Sequence, residues 1–256
     1  MKLLCSIYPG DGCDNLTRQF LSYYRKEGIK EFHFLLLKNP AAPNEQEVHD
    51  MLRKEPDVVC VQLKEAVPTE QARVELYTAY KQQQLSDCRM VFAVDADEFV
   101  SHPGDIYEAA CTDDYDYVRG RLVDRFALGG ETAAVTMNKD LFRQFPVCSD
   151  FSWDALGALQ SKTPLSKPAI EYRVGLHRII DEERWTRPEW DVMVHHFKWT
   201  KGVIQRIRER VERMRSADEF FSEKYQKECE WFLENHVIDD NRIGLEDIDT
   251  WYQPTP

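Results

Sequence analysis

Along the first hundred residues, short apolar runs alternate with segments whose apolar positions recur every three or four residues. Residues 3–8 read as a strand ending in the loop Pro9-Gly10-Asp11-Gly12. Asp14 or Asn15 can then cap a helix with Leu16, Phe20 and Tyr23/Tyr24 along one side, stopped by Gly28. Residues 32–37 are apolar throughout, as strands covered on both faces tend to be. Turns at Asn39-Pro40 and Pro43-Asn44 lead into a helix carrying Val48, Met51 and Leu52. Residues 58–61 form a third strand, and Thr69 opens a helix with Ala72, Leu76, Ala79/Tyr80 and Gln83 on one side. Residues 90–94 form a fourth strand. The series β-α-β-α-β-α-β predicts an α/β fold: a mostly parallel, Rossmann-like sheet flanked by helices. Ligands of such sheets bind beyond the carboxyl ends of the strands, where Tyr8, Pro9 and Asn39 fall.

The second half is less regular. Residues 117–125 read as a strand with charges at its end, 133–136 as a shorter one and 173–180 as another. Residues 161–168, with two prolines and two lysines, read as an exposed loop. Residues 192–199 form a strand, followed by C-terminal helices: one with Val203, Ile207, Val211 and Met214 on one face, a second over 217–235. No linker or repeat divides the chain. The expectation is a single domain over 1–256, with a nucleotide-binding half (1–100), an acceptor and metal half (101–200) and a helical extension (201–256).

Charge and cysteine usage narrow the classes. The chain of 256 residues carries a net charge of -12, which argues against nucleic-acid binding through phosphate neutralisation and against adhesion to anionic membranes. Seven cysteines without a C-x-x-C pair read as free thiols in a reducing compartment. No stretch approaches the roughly 20 apolar residues of a membrane span, and the first apolar run is too short for a signal peptide. A soluble, cytoplasmic protein is expected.

The chemistry is concentrated where the fourth strand runs into Asp95-Ala96-Asp97-Glu98-Phe99. Burying unpaired carboxylates costs several kcal/mol each, and a cation relieves that cost. Hard divalent ions choose such oxygen ligands and keep substrate phosphates as further ligands. Asp-x-Asp recurs at Asp114/Asp116 and Asp247/Asp249, but only the first pair follows an apolar strand. The bland alternative is a strand-end turn that merely solvates its charges. At His195-His196, adjacent strand residues face opposite ways, so only one ring can look into a cleft. Lys198 projects to the same side as His196 and could meet a diphosphate or simply be solvated. Arg206, Arg208, Arg210, Arg213 and Arg215 make one helix face basic, fit either to hold an anion or to face water.

Asp95-Ala96-Asp97-Glu98-Phe99 resembles the D-x-D-E-F signature of glycosyltransferases similar to family 2, which have the GT-A fold. Arg119-Gly120-Arg121-Leu122-Val123-Asp124-Arg125 with Gly129-Gly130, then Gly175-Leu176-His177, then His195-His196-Phe197-Lys198-Trp199 are similar in the same order. The resemblance implies metal-dependent transfer of a sugar, with inversion, from a UDP- or GDP-sugar to the hydroxyl of a glycan or other acceptor. It implies Mn2+ or Mg2+ as cofactor, with Asp97 as direct ligand, Asp95 sharing the ion or contacting the ribose, and His196 as a third ligand. Glu98 would orient the loop or the acceptor, and His177 would lie near the donor or acceptor. Tyr8, Pro9, Asn39, Asp95, His177 and Lys198 are the nucleotide-sugar contacts expected. An inverting reaction needs a carboxylate base, for which Asp154 ranks first, with Asp124 and Asp150 behind it. The chain departs from the pattern twice: Leu37-Lys38-Asn39-Pro40 offers no base-reading aspartate, and the expected Glu-Asp pair is missing, since Glu246-Asp247 lies too near the C-terminus. Two alternatives stay open. A haloacid-dehalogenase-like phosphatase also uses Asp-x-Asp, although on its first strand and with a hydroxyl residue where Phe99 stands here. The other is a non-catalytic nucleotide-sugar binding protein.

Overall fold

The computed structural model describes residues 1–7, 13–37, 45–63, 70–152, 159–215, 223–246 and 248–252. Strands β1 (Lys2–Ile7), β2 (Glu31–Leu36), β3 (Val58–Gln62) and β4 (Val91–Asp95) lie parallel in the order β4-β1-β2-β3. They are joined through α1 (Cys13–Lys26), α2 (Glu45–Arg53) and α3 (Glu70–Gln84). β1 and β2 bury every residue but their first, because helices cover both faces; this is why their sequences read as apolar runs broken only by Ser6 and His33. Gly28 ends α1 at φ 88°, a left-handed conformation that side chains resist, and the Ile29 N–H turns back to Tyr24 O. The helix already begins at Cys13, so Asp14 and Asn15 sit in its first turn rather than at the cap. Asn15 instead donates to Val135 O at 2.9 Å, tying α1 to the second half.

α3 differs from its sequence reading. Its buried face is Arg73, Val74, Tyr77 and Lys81, not the Ala72–Gln83 side. Two cations thus lie along the stripe that meets the sheet, and each finds a partner there. Lys81 donates to Ser166 Oγ and Ile170 O and sits 3.9 Å from the Tyr172 ring centroid. Arg73 belongs to the site below.

Beyond β4 come β5 (Glu98–Val100), α4 (Pro103–Thr112), β6 (Tyr117–Phe126), α5 (Leu141–Gln144), β7 (Val147–Ser149), β8 (Ser161–Ser166) and β9 (Val192–His196). α6 (Val203–Arg215), α7 (Glu223–Asn235), the β10–β11 pair (Val237–Asp239, Arg242–Ile243) and β12 (Thr250–Tyr252) complete the order. The sheet continues from β4 through β8, β6 and β7 to β12 in antiparallel pairs, so the whole is a mixed sheet built on a parallel half. β9 runs parallel to β6 and antiparallel to β5. Gly120 permits the β6–β9 approach: a Cβ there would lie 2.7 Å from Val194 Cγ2 and 3.2 Å from Val192 O.

Three segments depart from expectation. Residues 161–168 are not an exposed loop, because 161–166 form β8, which fills the sheet between β4 and β6. Pro164 is tolerated in this position because the β6–β8 register shifts between Val118 and Gly120, opposite it, where a missing N–H breaks no regular ladder. Residues 133–136 form no strand, although Val135 is buried. Residues 173–180 make a short 3-10 turn (Val174–Leu176) and one isolated bridge, Tyr172–Ile179, bent by Gly175 at φ 78° and Leu176 at φ 58°. Among the described residues no helix is long and apolar enough to cross a membrane.

Candidate active site

Each residue of the segment 95–99 has a separate task, set by the turn between β4 and β5. Phe99 anchors the turn, with its buried ring packed among Phe20, Tyr23, Tyr24, Phe142 and Phe197. Tyr24 Oη donates to Glu98 O at 3.1 Å and accepts from Val100 N–H at 3.0 Å, while Tyr23 Oη donates to Val100 O at 2.7 Å. Glu98, 3% exposed, folds back to accept the Asp95 N–H at 3.0 Å and pairs with Lys162 at 2.6 Å. Of the two roles expected for Glu98, the geometry serves loop orientation.

Asp95 is held by two cations, Arg73 at 2.7 Å on Oδ1 and Lys162 at 3.0 Å on Oδ2. Each oxygen accepts from one cation, so a metal ligated by Asp95 would share it with Arg73 or Lys162. Burial would raise its pKa, but Arg73 and Lys162 outweigh burial and hold it well below the usual carboxylate range. Burial dominates for Glu98, whose pKa is raised despite Lys162. Neither cation is among the residues expected from the sequence. Lys162 also donates to Gly175 O at 3.1 Å, and so joins the carboxylate turn to the Gly175–His177 bend.

Asp97 remains open, with 30% of its side chain exposed. Its neighbour is fixed by strand register: β9 places His196 opposite Glu98 on β5 and opposite Asp124 on β6. The Phe197 N–H closes on Asp97 O at 2.7 Å. His196 Nε2 therefore lies 3.4 Å from Asp97 Oδ2, and its Nδ1 lies 3.0 Å from Asp124 Oδ1. Asp124 is saturated, because it also accepts from Ser152 N–H (2.6 Å), Ser152 Oγ (2.9 Å) and Trp199 Nε1 (2.8 Å). Asp124 is buried, and His196, Ser152 and Trp199 hold its pKa down against its desolvation. In this arrangement Asp124 braces His196.

The residues present fit a divalent cation. Two ligands at about 2.1 Å from one octahedral ion are about 3 Å apart, close to the Asp97–His196 spacing. A carboxylate bonded to the far nitrogen is the usual support of a metal-bound imidazole. Without the cation, burial would lower the His196 pKa, but Asp97 and Asp124 overcome it and raise it to about 10. The Nε2 proton and a cation would compete for one place. Among the described residues no group of three or more His, Cys, Asp or Glu side chains converges as a cage. The remaining ligands would have to come from water or substrate.

The other histidine of the pair faces away. His195 is 2% exposed, accepts from Arg125 Nε at 3.1 Å and meets Ser101 Oγ at 3.0 Å. Lys198 is half-buried, its ammonium 5.0 Å from the Trp199 ring, and no carboxylate pairs with it among the described residues. His177 is brought close to the cluster, with Nδ1 2.6 Å from Ser161 O. Asp150 pairs with Arg121. On the basic helix, Arg206 bonds Lys201 O and Arg208 pairs with Asp240, so these two serve local contacts. Tyr8, Pro9, Asn39 and Asp154 lie outside the described residues.

No family model matches the chain, and no curated protein matches it. Among solved structures it is similar to S. aureus TarS. The 1–349 fragment is 13% identical over 91% of this chain and 71% of that one, with a TM-score of 0.39. The same fragment in complex with UDP-GlcNAc is 12% identical over 90% and 70%, with a TM-score of 0.40. Against the longer TarS chain, 91% of this chain covers 42% of that one at 12% identity and a TM-score of 0.40. A likeness this distant carries no argument about chemistry, which rests on the residues themselves.

Proposed function

We propose that the protein is a metal-dependent glycosyltransferase that moves a sugar from a nucleoside-diphosphate sugar to an acceptor hydroxyl. The observation that carries this reading is the Asp97–His196 pair, 3.4 Å apart at the carboxyl edge of β4 and braced by Asp124. Asp97 and His196 would hold Mn2+ or Mg2+, and a bound cation of this kind neutralises charge on a departing diphosphate. With only two protein ligands, the arrangement suits an ion shared with phosphate oxygens rather than a closed structural site. Asp95, clamped by Arg73 and Lys162, keeps the turn rigid so that Asp97 is presented in one orientation. Lys198, two residues beyond His196, offers an ammonium to the diphosphate.

The inverting course requires a carboxylate to take the acceptor proton. With Asp124 committed to His196, Asp154 remains first in rank, and Asp154→Asn is the substitution that tests it. A phosphatase of that type would carry its nucleophilic aspartate on the first strand with a hydroxyl residue two beyond the second aspartate, whereas Asp95 ends β4 and Phe99 stands in that place. The transferase is preferred on that ground.

The test is calorimetric titration of UDP- and GDP-sugars with and without manganese. Binding should require manganese and be lost in Asp97→Asn, while the melting temperature of that variant stays within a few degrees. Equal donor affinity in the presence of a chelator, or in Asp97→Asn, would overturn the assignment.

A further inference from the structure

β3 ends the parallel order β4-β1-β2-β3, and among the described residues only β2 pairs with it. Edge strands usually resist further pairing through charges, prolines or bulges. Val58-Val59-Cys60-Val61-Gln62 has none of these, its register with β2 is unbroken, and Val59 is 43% exposed.

The ladder with β2 decides which backbone groups this edge offers. Asp57 O accepts the Phe32 N–H at 2.9 Å, and the Leu63 N–H donates to Leu36 O at 3.0 Å, so the odd-numbered residues face β2. Cys60 and Gln62 therefore turn both N–H and C=O outward. The Val58 N–H is already committed to Glu55 O at 3.2 Å. Side chains alternate as well. Val58 and Cys60 pack against the cluster holding Val48, Met51 and Leu52 of α2. Val61 packs on the opposite face, against the cluster holding Val74 and Tyr77 of α3, and Val59 and Leu63 share that face with it.

A two-fold axis beside β3 sets it antiparallel to the same strand of a second copy. With Cys60 opposite the partner's Cys60, Gln62 faces the partner's Val58, whose N–H is spent. With Cys60 opposite the partner's Gln62, both outward residues exchange N–H and C=O in full. Charge selects the same register. Glu45, at the start of α2, accepts from Gln62 Nε2 at 3.2 Å. Arg53, at the end of α2, is exposed and near enough to Cys60 for its charge to act on the thiol. Pairing Cys60 with the partner's Gln62 thus brings Arg53 toward the partner's Glu45, and the symmetry repeats the contact. The other register brings the two arginines together. On the α3 face Val61 meets the partner's Val61 at the axis, and Val59 meets the partner's Leu63.

We propose that β3 is the interface of a two-fold dimer, pairing antiparallel with β3 of a second copy, Cys60 opposite the partner's Gln62, so that one sheet runs through both chains. β1 and β2 separate this edge from the carboxylate turn, so the dimer does not depend on the transferase reading.

The experiment is sedimentation velocity of the full chain from about 1 to 100 μM. The wild type should sediment as a dimer at the upper end. Val59→Lys, which places a charge on an exposed edge position, should weaken the dimer at least tenfold. Arg53→Glu and Glu45→Arg should each weaken it about threefold, the worth of an exposed ion pair, with circular dichroism and melting temperature showing the fold intact. The exchange Arg53→Glu/Glu45→Arg restores opposite charges across the axis and should recover the wild-type affinity. Val61→Cys should cross-link two chains on mild oxidation, whereas Val59→Cys, facing the partner's Leu63, should not. A monomer throughout the range, a dimer indifferent to Val59→Lys, an exchange that recovers nothing, or cross-linking through Val59→Cys in place of Val61→Cys would each overturn the proposal. So would growth beyond the dimer with concentration, which marks open-ended stacking rather than a closed pair.

Discussion

Replacing Lys162 by methionine tests whether the carboxylate turn is held by its buried counter-ions. The ammonium, with 2% of its side chain exposed, lies 2.6 Å from Glu98 and 3.0 Å from Asp95. Arg73 remains on Asp95 in the variant, but Glu98 keeps only the Asp95 N–H. Removing one partner of a buried pair typically costs about 3–5 kcal/mol. Proton uptake by Glu98 sets a ceiling: protonating a carboxylate of ordinary pKa costs about 4.4 kcal/mol at pH 7.5 and about 1.6 kcal/mol at pH 5.5. Lys162→Met should therefore lose about 3–4 kcal/mol at pH 7.5 and less than half of that at pH 5.5. At this chain length the loss corresponds to a drop in Tm of about 6–15 °C at the higher pH. Thermal melts followed by circular dichroism at the two pH values read both quantities. The double variant Lys162→Met/Glu98→Gln, which removes the stranded charge, should regain at least half of the loss at pH 7.5. A drop below 1 kcal/mol at pH 7.5, or the same drop at both pH values, would refute the reasoning.

Asp124→Asn should lower manganese affinity about 10–100-fold, because the support that fixes the His196 ring is weakened; isothermal titration within twofold of wild type would contradict this. Gly120→Ala should cost about 1–3 kcal/mol in urea unfolding through its contact with Val194, and Gly120→Ala/Val194→Ala should recover most of it. The Arg25–Asp57 pair governs part of the acid limb. Arg25 lowers the Asp57 pKa, so its stabilisation is full above the unfolded pKa of about 4 and is lost as pH falls through the folded value. Arg25→Gln should therefore be less stable than wild type at pH 7, with the gap closing toward pH 3; a gap independent of pH would rule the pair out.

The parallel half was legible because β1 and β2 are buried on both faces and so leave runs that are apolar but for Ser6 and His33, and because Gly28 marks a helix end. The carboxylate turn was legible for the opposite reason: charges after an apolar strand demand an explanation. What that demand did not reveal was its answer. Lys162 stands in Ser161-Lys162-Thr163-Pro164, which looks like surface, since its polarity compensates for residues far away in the chain. Arg73 lies in a helix with two readable faces, and the face with more apolar residues is not the buried one. A search for cations able to neutralise Asp95 and Glu98 would have been the signal for both. The bend at 173–180 reads as a strand from its apolar residues, and only its glycine hinted otherwise.

The β5–β9–β6 junction has a consequence for biosynthesis. The ribosome delivers Asp97 and the bracing Asp124 early, yet the imidazole that joins them arrives only when β9 has been made and inserted between β5 and β6. A nascent or truncated polypeptide that stops short of Val192 would own the parallel half of the sheet and still lack the imidazole that faces Asp97.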